Sequence, residues 1–406
     1  MIKMLYQKEI RKVKKMNNKW KEVKLGNVSK IYDGTHQTPK YKESGIPFYS
    51  VEHVTSNDFT KTRFISEDVY NQDIKKTKIE KGDILMTRIG DVGTAKYIYW
   101  EPKASFYVSL ALIKCTFEHV NPKYITFLIN SVQFKKEIWS KTIHVAFPNK
   151  INLGDIGKLK ILLPPLPEQT RIVSVLETWD SYLENLNKKI EIKKNIKKGL
   201  MQKLLTGKAR LKDFQDKWRI IPLKNIALIN PLHKKIPNSF IYIDLESVEK
   251  GYLKKENLIN KIDAPSRAQR VLEKQDIIFQ TVRPYQKNNY YFNKDGNYIA
   301  STGYAQIRAH ESSEYLYHYL HTDKFVNKVL EKCTGSNYPA INSTDLGKIA
   351  IYIPSHEEQK AIAEILTKTD KEIETLEKKR KLVLEQKKFL LNNLLTGNIR
   401  LPEFRD

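Results

Sequence analysis

The strongest constraint on this chain is that it contains much of itself twice. Pro164-Pro165-Leu166-Pro167-Glu168-Gln169 aligns with Pro354-Ser355-His356-Glu357-Glu358-Gln359 at an offset of 190. The alignment runs without a gap to Leu204-Leu205-Thr206-Gly207 against Leu394-Leu395-Thr396-Gly397, and on to Phe214 against Phe404. Positions 164–214 carry 20 identities in 51 pairs. Weaker echoes lie upstream. Ile151, Asn152 and Asp155 match Ile341, Asn342 and Asp345, and Lys81-Gly82-Asp83-Ile84 resembles Lys274-Gln275-Asp276-Ile277. At an offset of 198, Trp20, Val23, Leu25 and Asn27 match Trp218, Ile221, Leu223 and Asn225. A repeat this long means one structural unit used twice. Each copy has a divergent first part and a more similar last part.

The similar parts read as helices. Ile362, Leu366, Thr369, Ile373, Leu376, Arg380, Val383, Lys387, Leu390 and Leu394 step by four and three, as in a coiled-coil seam. The first copy puts Ile172, Leu176, Trp179, Leu183, Leu186, Ile190, Lys193, Lys197, Leu200 and Leu204 in the same slots. Prolines precede each helix, and Glu168 or Glu358 sits in the first turn, where the helix dipole favours an anion. Gly207 and Gly397 are C-terminal stops. Two equivalent seams in one chain can bury each other, and antiparallel helices of about 40 residues, at ~1.5 Å per residue, would be spacers roughly 60 Å long.

The divergent parts mix strands and helices. Strand-like runs are 46–51, 83–88, 95–100, 106–114, 277–282 and 289–292, and helix-like runs are 122–140 and 315–333. The predicted fold class is α+β: two globular domains separated by two long antiparallel coiled-coil helices, internally duplicated. The boundaries fall at 1–15 (a weakly structured leader, with Met16 an alternative start), 16–160, 161–215, 216–350 and 351–406.

Net charge narrows the partner. The 406 residues carry 71 Lys and Arg against 46 Asp and Glu, a formal +25. That excess favours a polyanion, either nucleic acid or an anionic membrane. Apolar runs such as Phe106–Ile113 are far too short to span a bilayer, and the basic N-terminus lacks the apolar core of a signal peptide. Cys115 and Cys333 stand far apart in no metal-ligand or CxxC spacing, which fits free thiols in a reducing cytoplasm. Nucleic acid in the cytoplasm is the expected partner.

The reading residues should lie on loops rich in Arg, Asn, Gln and Tyr. Arg and Lys pair bidentately with guanine, and Asn and Gln with adenine, while Lys, Ser and Thr mostly meet phosphates. Thr87 and Arg88 follow one strand run, and Lys96 lies on the next. Arg283, Tyr285, Gln286 and Lys287 follow the counterpart strand. Ser336, Asn337 and Tyr338 follow a helix in the second copy, and Ile143–Asn149 holds the matching place in the first. Arg88 and Arg283 occupy what read as equivalent sites in the duplicated frame and are the leading candidates for DNA contact, to a base or to a phosphate.

Catalytic signatures are missing from the sequence. There is no Walker A loop. Asn230-Pro231-Leu232 falls short of an adenine methyltransferase motif, and Gly90-Asp91-Val92-Gly93 lacks the spacing of a cofactor loop. His356-Glu357-Glu358-Gln359 lacks the second histidine of a metalloprotease.

The doubled frame resembles the specificity subunits of Type I restriction–modification systems. The resemblance rests on Pro165–Gln169 leading a helix, Leu-Leu-Thr-Gly at 204–207 and 394–397, Gly82–Leu85 and Asp276–Ile278, and Ser301–Ala305. Ser355-His356-Glu357 departs from the Pro-Leu-Pro lead, although Pro354, Glu358 and Gln359 remain. The resemblance implies two target-recognition domains reading the halves of a split site. It implies helices that fix the gap and dock two methyltransferase subunits, marked by Glu168, Gln169, Leu204, Leu205, Glu358, Gln359, Leu394 and Leu395. It also implies motor–nuclease subunits. S-adenosylmethionine, ATP and Mg2+ would belong to those partners, and this chain would bind no metal or cofactor and perform no catalysis. Two other classes stand beside this reading: a self-contained nuclease or methyltransferase, and a coiled-coil adaptor that associates with DNA without sequence preference.

Overall fold

In a computed structural model of the chain, the two copies become two units, one comprising residues 1–185 and 380–406 and the other residues 186–379. The structure describes residues 20–145, 147–232 and 235–405. The expected leader and the alternative start at Met16 lie outside the described residues.

Each unit closes its own frame by pairing its first strand with the strand just before a long helix. Lys21–Lys24 runs antiparallel to Lys160–Leu163, with Val23 opposite Ile161. Arg219–Pro222 runs antiparallel to Ala350–Ile353, with Ile221 opposite Ile351. The following turns match as well: Leu25 N–H donates to Leu159 at 2.8 Å, and Leu223 N–H to Ile349 at 3.0 Å.

A four-stranded antiparallel sheet forms the centre of each unit. In the first, the order is Lys30–Asp33, Leu110–Lys114, Ile84–Thr87, Ala95–Tyr97; in the second it is Ala227–Ile229, Tyr304–Ala309, Ile277–Gln280, Tyr290–Tyr291. Ile84–Thr87 and Ile277–Gln280 are buried along their whole length, which is why both are continuous runs rather than alternating ones. A second sheet lies in each unit. It has three strands in the first (Ile46–Tyr49 at its centre) and four in the second (Ser239–Ile243 and Tyr298–Ser301 at its centre).

The expected helices 122–140 and 315–333 are each two helices. Ser131 accepts from the Phe134 amide and so starts Val132–Lys141 after Pro122–Ile129 has ended. Thr322 accepts from the Phe325 amide and separates Ser313–Leu320 from Asp323–Leu330. A hydroxyl that caps a new helix competes with continuation of the old one.

The long helices are Leu166–Leu204 and His356–Leu395. Within the first unit, Ile172 and Leu176 share a core with Leu394 and Leu395. Within the second, Leu204 and Leu205 share one with Ile362 and Leu366. Lys193 meets Glu372 at 2.6 Å and Lys197 meets Asp370 at 2.5 Å, while Lys387 pairs with Asp180. Partner numbers rise on one helix as they fall on the other, so the helices are antiparallel. Besides these ion pairs, Leu186, Ile190 and Ile373 are buried in the second unit and Val383 in the first. Arg380, placed on the seam by the heptad, is exposed instead.

Candidate nucleic-acid interface

The repeated Glu sits at the centre of each junction. Glu168 is fully buried and accepts from Arg400 Nε and Nη2 at 3.0 and 2.8 Å and from the Trp20 indole at 3.1 Å. Glu358 is equally buried and accepts from Arg210 at 2.8 and 2.7 Å and from the Trp218 indole at 3.1 Å. Each arginine follows the Leu-Leu-Thr-Gly stop of one repeat and binds the glutamate of the other. Gln169 donates to Pro164 and His119 and accepts from the Asn121 amide, and Gln359 donates to Pro354. Leu204, Leu205, Leu394 and Leu395 are buried in their units. This corrects the expectation that these eight residues form docking surfaces. Their contacts lie within one chain, so they build the frame. The apolar positions that the helices expose are others, including Ile192, Ile196, Leu382 and Phe389.

A second correction concerns Thr87 and Arg88. Thr87 is fully buried, donates to Asp91 at 2.9 Å and receives the Thr94 amide at 2.9 Å. Arg88 is only 8% exposed. Its guanidinium donates to Asp33 at 2.9 Å, to the Val108 carbonyl at 2.8 Å and to the Ile151 carbonyl at 3.3 Å. With Nε and Nη1 bonded inside the fold and the side chain buried, Arg88 pins the strand end and does not present itself as a free reading residue.

The backbone shows that Arg88 and Arg283 are not equivalent. Arg88 N–H donates to Ser109, and Thr281 N–H to Gly303; Ile151 donates to Arg88, and Ile341 to Thr281. Thr281 is therefore the counterpart of Arg88. Arg283 corresponds to Gly90. Both have positive φ, +53° and +86°, and they receive matching contacts: Gly90 N–H donates to Asn149, Arg283 N–H to Pro339. A left-handed backbone is costly for a residue with a Cβ, so Arg283 is held by its surroundings. Its guanidinium lies 4.2 Å from the Tyr338 ring centre, within cation–π range.

Each unit thus brings together the two loops that the sequence nominated. In the second, the strand-end loop with Arg283, Tyr285 and Gln286 meets the loop with Ser336, Asn337 and Tyr338. Tyr285, Gln286, Ser336, Asn337 and Tyr338 are all exposed. Gln286 accepts from Gln280 at 2.9 Å, which orients its amide. Lys287 pairs with Asp323 at 2.5 Å. In the first, the loop at Gly90 meets the loop ending at Asn149, which is half-buried. Val145 and Phe147 on that loop are fully exposed, although of the nominated segment only Asn149 was singled out as a contact. An apolar side chain at a loop tip carries no hydrogen-bonding signal in sequence, and only its exposure marks it. Lys96 stands apart from both loops. Its ammonium is half-buried near the Tyr99 ring, with burial lowering its pKa and Asp180 partly opposing that.

Among the described residues no group of three or more His, Cys, Asp or Glu is arranged to hold a metal, and no helix is long and apolar enough to cross a membrane. Burial pushes the Cys115 thiol up to about 12 and raises that of Cys333, so neither is an activated nucleophile.

Fold and loops together define a class: a strongly basic, internally duplicated α+β chain that presents one paired loop cluster per repeat. The family model of the Type I restriction modification DNA specificity domain matches residues 17–194 and 215–386. The chain belongs to that family, and its activity is DNA sequence recognition as a Type I specificity subunit. It is 28% identical over 382 residues to the type I restriction enzyme MjaX specificity subunit of Methanocaldococcus jannaschii, covering 88% of each chain. It is 24% identical over 420 residues to the MjaVIII specificity subunit of the same organism, covering 94% of this chain and 93% of that one. In fold it resembles the S subunit of a Type I restriction–modification system from M. genitalium, with a TM-score of 0.58 and 16% identity over 94% of this chain and 97% of that chain.

Proposed function

We propose that each unit reads one half of a split DNA target and that the two halves differ in sequence. The observation that carries this reading is the paired loop cluster, built on the same backbone contacts in both units but furnished with different side chains. Gly90, Asn149 and Phe147 stand where the second unit has Arg283, Pro339 and its exposed Ser336–Tyr338 segment. A shared strand-end frame with divergent tips is what two readings from one frame require.

The chain itself is proposed to perform no catalysis. Adenine methylation with S-adenosylmethionine would fall to two methyltransferase subunits, and ATP- and Mg2+-dependent translocation and cleavage to motor–nuclease subunits, all in the cytoplasm. Ile192, Ile196, Leu382 and Phe389 are the helix positions open to such partners. Mapping methylated adenines in cells carrying the complete system would give the target. The purified chain with its methyltransferase should then hold that duplex far more tightly than a scrambled one at physiological salt. Equal binding to both would refute the reading, and methylation or cleavage by the chain alone would refute the absence of catalysis.

A further inference from the structure

The second unit contains a concavity of about 710 Å3 with seven lysines on its walls and Asp323 as their one acidic companion. It lies where the end of the first long helix faces the segment Tyr317–Lys324. Three of the lysines are matched: Lys194 with Glu377 at 2.9 Å, Lys197 with Asp370 at 2.5 Å and Lys287 with Asp323 at 2.5 Å. The other four, Lys198, Lys208, Lys250 and Lys324, are exposed and have no ion pair among the described residues. His318 and His321 also face the space.

Gathering like charges around a concavity costs folding energy, and Lys194, Lys197 and Lys198 repel one another along a single helix face. Overall lysine richness does not explain the cluster, because the same frame in the first unit lacks it. At the helix offset of 190, Lys194 and Lys208 become Leu384 and Asn398, and only Lys197 and Lys198 stay basic, as Lys387 and Lys388. The opposite wall shifts by 191. There Thr322 and Ser131 cap matching helices, and Lys324 becomes Gln133. Of these five positions, only two are basic in the first unit.

The concavity is also continuous with the reading loop. Lys287 is the last residue of the segment that begins at Arg283, and the Lys250 amide donates to the Asn288 side chain at 3.1 Å. Beyond base edges, a duplex approaching Arg283 and Tyr285 offers phosphates as its next feature. A compact anion with several oxygens suits several short-range ammonium donors.

We propose that this lysine pocket holds backbone phosphates of duplex DNA beside the half-site read by the second unit. That half-site then carries a larger sequence-independent, salt-sensitive share of the binding than its counterpart. The proposal rests on the DNA-reading assignment above.

The test uses the full chain with its methyltransferase partner, the mapped target duplex and a scrambled duplex, titrated with salt. Lys198→Gln with Lys324→Gln should weaken both duplexes by the same factor and lower the slope of log K against log salt by about 2. Both sites are exposed, so the urea midpoint of the variant should match the wild type; should it fall, Lys208→Gln alone is expected to lower the slope by about 1. An unchanged slope in a folded variant overturns the proposal, as does a loss confined to the target sequence. Inorganic triphosphate distinguishes a free ligand. If it binds the wild type but not the variant while DNA slopes agree, the pocket serves a soluble phosphate compound and the DNA assignment fails. Failure of the wild type to prefer its target would refute the recognition reading instead, and the slope difference would still decide the pocket.

Discussion

Arg88 and Arg283 read alike in sequence and act oppositely in structure. Each ends a short segment after a buried strand, but Arg88 bonds to Asp33, Val108 and Ile151, whereas the half-buried Arg283 stacks on exposed Tyr338. Arg88→Ala should therefore lower the stability of the first unit by about 3 kcal/mol, because two buried carbonyls and Asp33 lose their donor; chemical denaturation measures it. Arg283→Ala should leave stability unchanged, cost about 1–3 kcal/mol in target binding and relax one half-site only. Uniform weakening on all duplexes would make Arg283 a phosphate contact. The second unit also carries a pH dependence. Burial holds His318 well below its ordinary value and pushes His321 down to about 4. Their unfolded forms protonate near 6.5, while the folded forms stay neutral. Stability is then complete above pH 6.5 and falls as pH drops toward 4, since the unfolded chain takes up more protons. His321→Asn, which installs the residue found at Asn130 in the first unit, should flatten that part of the urea-midpoint curve.

At the scale of elements, the heptad pattern located both long helices, and it placed Ile172, Leu176, Leu186, Ile190, Ile362, Leu366 and Ile373 on a face that is buried. Period 3.6 is a local property, so the sequence displays it directly. The break in each shorter helical run was less legible. Ser131 and Thr322 are favoured N-cap residues, so the sequence carried a break signal that the continuous helical runs masked. The helix positions also differ in what they serve. Leu205 is buried with Trp218 and Leu366, so Leu205→Ala should cost the second unit about 2–5 kcal/mol. Ile192 is 58% exposed, and Ile192→Ala should be nearly neutral for folding. Its effect should instead appear as weaker capture of the methyltransferase subunit in a pull-down, and no change there would remove Ile192 from the docking surface.

At the scale of the molecule, the duplication is wired crosswise. Identical residues of the two copies bond to each other's partners: Arg210 to Glu358 and Arg400 to Glu168, Lys197 to Asp370 and Lys387 to Asp180. The unit that begins at the N-terminal strand is consequently completed by residues after Arg380. Arg400→Ala strips the buried Glu168 of its charged partner and should destabilise the first unit by about 3–5 kcal/mol. Limited proteolysis should then cut within residues 20–165 while residues 216–350 stay protected; equal protection of both would contradict the crosswise wiring.

The sequence by itself determined that there are two α+β units on one frame, that long helices follow each, and that the partner is a polyanion. Repeats, heptads and net charge are additive along the chain and survive without coordinates. Tertiary structure decided which residues the frame consumes and which it leaves over. It buried Thr87, Arg88 and the Glu-Gln and Leu-Leu motifs, left Tyr285, Asn337 and Phe147 in the open, and gathered lysines from distant segments into one pocket. Exposure and convergence depend on contacts between residues far apart in sequence, and in a duplicated chain even the choice of partner copy is made only when the chain folds.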